Sequence, residues 1–91
     1  MTLDVGEFRK GLLKEGFPEP VEVMRAANGS LDLHSHPFEA RALVLEGEIQ
    51  IEIDGIGRTY SAGDIFQVPA NRMHSERYGP TGVKYLVGRK S

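Results

Sequence analysis

From Val21 onward the chain alternates apolar and polar residues with a period of two, and this pattern narrows its fold more than any other feature. In the segment EIQIEID, Ile49, Ile51 and Ile53 fall on one side of an extended strand, and Glu48, Gln50 and Glu52 fall on the other. Such a strand has one face in a core and one in water. The segments VEVMRAA, LDLHSHP, ARALVLE, RTYS, DIFQVP, MHSERY and GVKYLVG read as further strands. Asn28-Gly29, Gly47, Asp54-Gly55, Gly57, Ala62-Gly63, Asn71 and Gly79-Pro80 stand between them as turn signals. Short strands divided by turns at regular intervals predict an all-β sandwich or closed barrel.

The first residues follow a different period. Val5, Phe8 and Leu12 recur at helical spacing and Leu13 widens the apolar face, which predicts a short helix from residue 3 to about residue 16. Asp4 or Thr2 suits the cap, and Gly16, Pro18 and Pro20 end the helix. Gly6 and Gly11 weaken it, each by ~1 kcal/mol against Ala, so it needs the rest of the domain to pack on.

The length of 91 residues predicts one domain, with helix and connection over 1–20 and the barrel over 21–88. A core this small leaves little margin, and a homodimer partner or a bound metal would add to it. The edges of open strands also invite a partner. Eleven basic and thirteen acidic residues are interspersed, for a formal charge of −2, so nucleic acid is not an expected partner. Without cysteine there is no disulfide, no thiolate chemistry and no Cys-type zinc site. The N-terminal stretch has no apolar core of the signal-peptide kind, and the longest apolar run, Ala42 to Leu45, is far too short to span a bilayer. No membrane association is expected, and the cytoplasm is the expected compartment.

The histidines carry the candidate chemistry. His34 and His36 are two apart, so on a strand both imidazoles project to one face, with Leu31 and Leu33 on the other. Two neutral imidazoles on one side are half of a site for a first-row metal. His74 follows the turn Pro69–Asn71 and starts a different strand, as convergence inside a barrel requires. The chain has no histidine outside these two segments.

The two segments resemble the paired motifs of the cupin superfamily. The first reads Gly29-SLDL-His34-Ser-His36-PF-Glu39-ARALVLE-Gly47. The second reads Gly63-DIFQV-Pro69-Ala-Asn71-RM-His74-SER-Tyr78, with Asn71 where the family has a second Gly and Tyr78 where it has Asn. Asn replaces Gly well where φ must be positive. The resemblance spans about residues 21 to 88. It implies a double-stranded β-helix, or jelly roll, of six or more strands, with the motif histidines holding one divalent metal inside the barrel.

The family's fourth ligand is a Glu, and here the pattern departs. Glu39 comes one residue early when counted from His36, and the family spacing counted back from Gly47 lands on Ala40. If Ala40, Ala42 and Val44 face inward, Glu39 faces outward unless a bulge beside Pro37 re-aims it. Glu39 is thus either a ligand through a bulge or a surface carboxylate. Glu76 lies two residues after His74, on the same strand face. It suits a ligand, a partner of a histidine N–H or a general base, and equally a rim carboxylate paired with Arg72 or Arg77. Three histidines and a carboxylate suit Fe, Mn, Ni or Co, whereas three histidines and an open position suit Zn. Phe38, Tyr60, Met73, Tyr78 and Tyr85 are further candidates to line a pocket, and Arg41 suits an anionic ligand or a surface ion pair.

Two functions follow. One is a metal-dependent enzyme of isomerase, lyase or dioxygenase type acting on a small polar or anionic molecule. The other is a stand-alone module that binds or senses a small ligand, with a structural metal or none. Fold alone does not choose between them.

Overall fold

The computed structural model describes residues 4–91. One helix, α1 (Val5–Lys14), precedes six strands: β1 (Val21–Arg25), β2 (Ser30–His34), β3 (Glu39–Ile53), β4 (Ile56–Ser61), β5 (Ile65–Val68) and β6 (His74–Lys90). All pairings are antiparallel. Among the described residues no helix is long and apolar enough to cross a membrane.

The sequence suggests breaks at Gly47 and Gly79-Pro80, yet β3 and β6 each run through them as one long strand. The two pair with each other along most of their length. The first half of β3 and the last half of β6 form one layer, flanked by β5 and β1. The second half of β3 and the first half of β6 form the other, flanked by β4 and β2. Between the halves the register shifts, from Val44 to Glu46 and again from Gly47 to Ile49.

These shifts change which parity faces inward. Ala40, Ala42 and Val44 are buried, and so are Ile49 and Ile51. On β6 the buried set changes from His74 and Tyr78 to Val83, Tyr85 and Val87. A strand that turns a corner of a barrel must insert residues to keep its apolar side inward, and bulges do this. Glycine makes the corner possible. A Cβ on Gly47 would lie 2.1 Å from the Gly82 carbonyl oxygen, and both residues have positive φ, 74° and 79°.

The main core lies between the layers and contains Ala42, Val44, Ile49, Phe66, Tyr78 and Tyr85. A second cluster covers the outer face of the first layer, where Phe8, Leu12 and Phe17 pack on Leu43 and Leu86. That layer is buried on both faces, which explains why ALVL and YLV read as continuous apolar runs. Helix α1 is capped by the Asp4 carboxylate, which accepts from the Glu7 N–H, and Gly16 follows its end with φ of 85°. Thr2 lies outside the described residues. Leu13, expected on the apolar face, is 48% exposed because α1 presents only a narrow stripe to the sheet.

Leu12 is 1% exposed and Leu13 is its exposed neighbour, so they form a natural pair of probes. Leu12→Ala is expected to lower unfolding free energy by about 2–5 kcal/mol, and Leu13→Ala by less than about 0.5 kcal/mol. Urea titration followed by circular dichroism checks this. Equal effects would mean that α1 docks in another rotation.

Candidate metal centre

His34 ends β2, His36 lies in the extended stretch before Pro37, and His74 begins β6. His34 faces His74 directly across the β2–β6 pair. His36 is held from the other side, because its carbonyl accepts the Asn71 N–H at 2.8 Å. Asn71 has φ of 62°, the left-handed conformation expected of a Gly position. The turn before His74 is thereby tied to the segment that carries the other two histidines.

The three rings converge. One ring nitrogen from each lies within 4.8 Å of the others. The remaining nitrogens fix which one. Nδ1 of His34 meets the Asp32 carbonyl at 2.6 Å, Nδ1 of His36 meets the Phe38 carbonyl at 3.3 Å, and Nδ1 of His74 meets the Arg72 carbonyl at 3.0 Å. A carbonyl only accepts, so each Nδ1 carries the proton and each Nε2 keeps its lone pair. Backbone carbonyls are a common outer partner of metal-binding histidines.

His74 provides the test of fit. Its side chain is 1% exposed, and its Nε2 has no hydrogen-bond partner. The Glu76 carboxylate lies 3.3 Å away but off hydrogen-bond geometry. A buried acceptor left unpaired costs about 1–3 kcal/mol. A divalent cation held by three Nε2 atoms would remove that penalty, and the donor set suits first-row metals.

Glu76 stands beside this cluster. Its carboxylate is 11% exposed and lies 3.5 Å from Nε2 of His34 as well as near His74. The Tyr78 hydroxyl donates to its other oxygen at 3.1 Å. Burial and then Glu76 push the Tyr78 phenol well above its ordinary pKa, so it stays a donor. Arg72, one of the partners considered for Glu76, pairs instead with Asp54.

Glu39 is placed elsewhere. The register of β3 with β6 is regular from Glu39 to Val44, so no bulge re-aims it. Ala40 faces the cavity, and Glu39 points out of the barrel, where it meets Gln67 and lies 3.6 Å from Arg41. The histidine group does not include it. Arg41 itself bonds Glu15 and stacks over Phe17, outside the cavity.

The cluster opens into a cavity of about 100 Å³. Phe38 and Tyr85 line it, as do Leu31, Arg25 and Arg89. Leu31 was expected on the opposite face from the histidines, but a register shift between Leu31 and His34 returns it to theirs. Met73 and Tyr60 lie outside this lining. The two arginines escape a reading centred on motifs. Their signal is parity, since Arg25 continues the inward side of Val23 and Arg89 that of Tyr85 and Val87.

The cupin domain family model matches residues 21–85. The chain belongs to the cupin family. Among solved structures, an RmlC-like cupin from Shewanella frigidimarina is 26% identical over 80% of this chain and 66% of its own, with a TM-score of 0.67. The polyketide cyclase RemF from Streptomyces resistomycificus is 25% identical over 79% of this chain and 53% of its own, with a TM-score of 0.68. A cupin superfamily protein from Desulfitobacterium hafniense shares the fold at 21% identity and a TM-score of 0.69, over 82% of this chain and 68% of its own. This cupin thus spans between about half and two thirds of the length of these neighbours. Among curated proteins none matches it.

Burial lowers the His36 pKa below its ordinary value, and nearby His74 and His34 add to this, while the Phe38 carbonyl and Glu76 oppose it. A histidine whose folded pKa is depressed contributes stability that is present above the unfolded value, about 6.5, and lost as pH falls through the folded one. Chelator-treated protein is therefore expected to show a falling urea midpoint as pH drops below about 6.5, with a shallower fall in His36→Gln. A midpoint equally steep in both would place the linked proton elsewhere.

Proposed function

We propose that this cupin binds one divalent metal on Nε2 of His34, His36 and His74 and acts on a small oxygen-bearing molecule, with Glu76 as the proton-transferring group. The observation that supports this most is the convergence of three lone-pair nitrogens, one of them buried and unpaired, beside a nearly buried carboxylate. When bound, a divalent metal supplies Lewis acidity toward a carbonyl or hydroxyl oxygen. The chain's own residues account for the rest. Backbone carbonyls orient the imidazoles. Glu76, held by the Tyr78 hydroxyl, has one oxygen aimed at the cluster and suits removal of a proton from carbon or oxygen next to a polarised group. This favours an isomerase or lyase over redox chemistry. That one structural neighbour is a polyketide cyclase is compatible with such proton transfers, though cupins use one fold for many reactions.

A stand-alone binding or sensing module is the second reading. The small cavity favours it, since about 100 Å³ leaves room for little beyond a metal and part of a ligand. Tight ligand binding by the metal-loaded protein without turnover would decide for the module.

We also propose a homodimer. Val21 and Met24 on β1 and Ile56 on β4 are exposed apolar residues on edge strands, a combination that a partner would cover. Sedimentation at roughly tens of micromolar is expected to show the dimer, and a monomer throughout would remove this part of the proposal.

Elemental analysis of untagged protein checks the metal directly. About one metal per chain is expected in the parent and in Glu39→Ala, and none in His34→Ala/His74→Ala. Glu76→Gln is expected to keep its metal with affinity weakened by no more than about 10–100-fold, the range for an outer partner, while turnover collapses. Loss of metal in Glu39→Ala would return that carboxylate to the ligand set.

A further inference from the structure

The cavity that holds the histidines has an uneven charge distribution. Its inner end carries one carboxylate, Glu76, and its lining also includes two guanidinium groups, Arg25 and Arg89. Both arginines are exposed, and neither makes an ion pair with a carboxylate among the described residues. Exposed Arg58 and Arg77 are likewise without an ion pair among the described residues, whereas other cations of the chain are paired. Arg9 pairs with Glu19, Arg72 with Asp54, and Lys84 with Glu22 and Glu46.

An aromatic side chain of the cavity wall restrains one of the two arginines. The Arg89 guanidinium lies over the Phe38 ring, 5.7 Å from its centroid. Phe38 stacks on His36, with centroids 4.2 Å apart and planes 5° from parallel. Arg89 is therefore one ring removed from the histidine cluster. Arg25 and Arg89 both act electrostatically on the Tyr85 phenol, lowering a pKa that burial and Glu76 raise, so both charges sit around the same cavity-wall residue. An arginine stacked on an aromatic face is restrained in advance and loses less freedom when its fork takes an anion.

We infer that Arg25 and Arg89 form an anion clamp at the mouth of the histidine cavity, so that the ligand is a short carboxylate with a hydroxyl or carbonyl oxygen next to the carboxyl carbon. This rests on the metal-centre reading above for the inner oxygen, and on the arginines alone for the carboxylate. The polarity sets the orientation. Glu76 repels a second carboxylate at the inner end, whereas the arginines offer it paired donors at the mouth. Size sets the length. A cavity of 150 Å³ admits a benzene-sized guest, so about 100 Å³ admits roughly four non-hydrogen atoms. The remainder of the ligand extends into the opening between the two arginines.

Lactate and its uncharged analogue lactamide separate the two halves of the inference. Cobalt(II)-loaded protein is titrated with each, with calorimetry reporting affinity and the visible cobalt spectrum reporting contact with the metal. Lactate is expected to bind and shift the spectrum, and lactamide to bind about 10–100-fold more weakly, the value of charge-assisted hydrogen bonds. Arg25→Gln/Arg89→Gln is expected to retain one cobalt per chain and lose that preference. Arg9→Gln/Arg58→Gln, which removes an equal charge outside the cavity lining, is expected to keep it. Equal binding of lactate and lactamide, failure of both to bind, or an undiminished preference in the double variant overturns the clamp. The same titrations on chelator-treated protein distinguish the two proposals. A preference for lactate that depends on Arg25 and Arg89 but needs no metal upholds the clamp even where cobalt fails to bind, and failure of cobalt to bind counts only against the metal centre.

Discussion

The structure depends on one constraint: β3 and β6 pair with each other while both turn the same corner. Each strand belongs to both layers, so an apolar side that began at even positions of β3 must continue at odd ones. From Val44 to Ile49, and from Tyr78 to Val83, an odd number of steps makes the exchange. The approach of Gly47 to the Gly82 carbonyl leaves no space for a side chain at the corner. If either strand took the corner without inserting residues, the core residues of one layer would face water.

The candidate site is a consequence of that corner. His74, Glu76 and Tyr78 lie on the inward side of β6 before it, and Tyr85, Val87 and Arg89 lie on the inward side after it. Only because the parity changes do the first and second halves of β6 both contribute to one cavity. The histidines of the first motif reach it from outside this pair, through β2 and the extended stretch that follows. The hydrogen bond from the Asn71 N–H to the His36 carbonyl ties the two motifs together beside the site. The site therefore sits where the layers meet, and its walls are the core residues themselves.

This explains what could be read from the sequence and what could not. Within a straight half-strand, alternation is enough: Ile49 and Ile51 are core as EIQIEID indicates, and Ala40, Ala42 and Val44 set Glu39 outward by the same rule. The positive φ of Asn71 was legible because few residue types tolerate it. Alternation fails wherever one residue is inserted, because every later side chain changes face. Leu31 was misplaced for that reason, and the continuity of β3 through Gly47 was invisible for the same reason. Leu13 fails differently. Helical spacing admits it to the apolar stripe, but the docking angle of α1 decides how wide a stripe the sheet covers. Arg25 and Arg89 carry no such signal, because charged residues on strands are ordinarily surface residues, and only their parity marks them as cavity-lining.

The carboxylate positions show how tightly stability and chemistry are joined in a domain of this size. Glu39 is committed to Gln67 and Arg41 on the outer face, within a network that also reaches Glu15 beyond the end of α1. Drawing it inward would break those contacts and require a bulge in the strand segment that carries Ala40 and Ala42 of the core. Glu76 needs no such change, because it already shares the inward face of His74. The unpaired Nε2 of His74 counts against the fold by about 1–3 kcal/mol, a substantial share of the roughly 5–15 kcal/mol that holds a typical domain together. A cation shared by the three imidazoles would remove that cost.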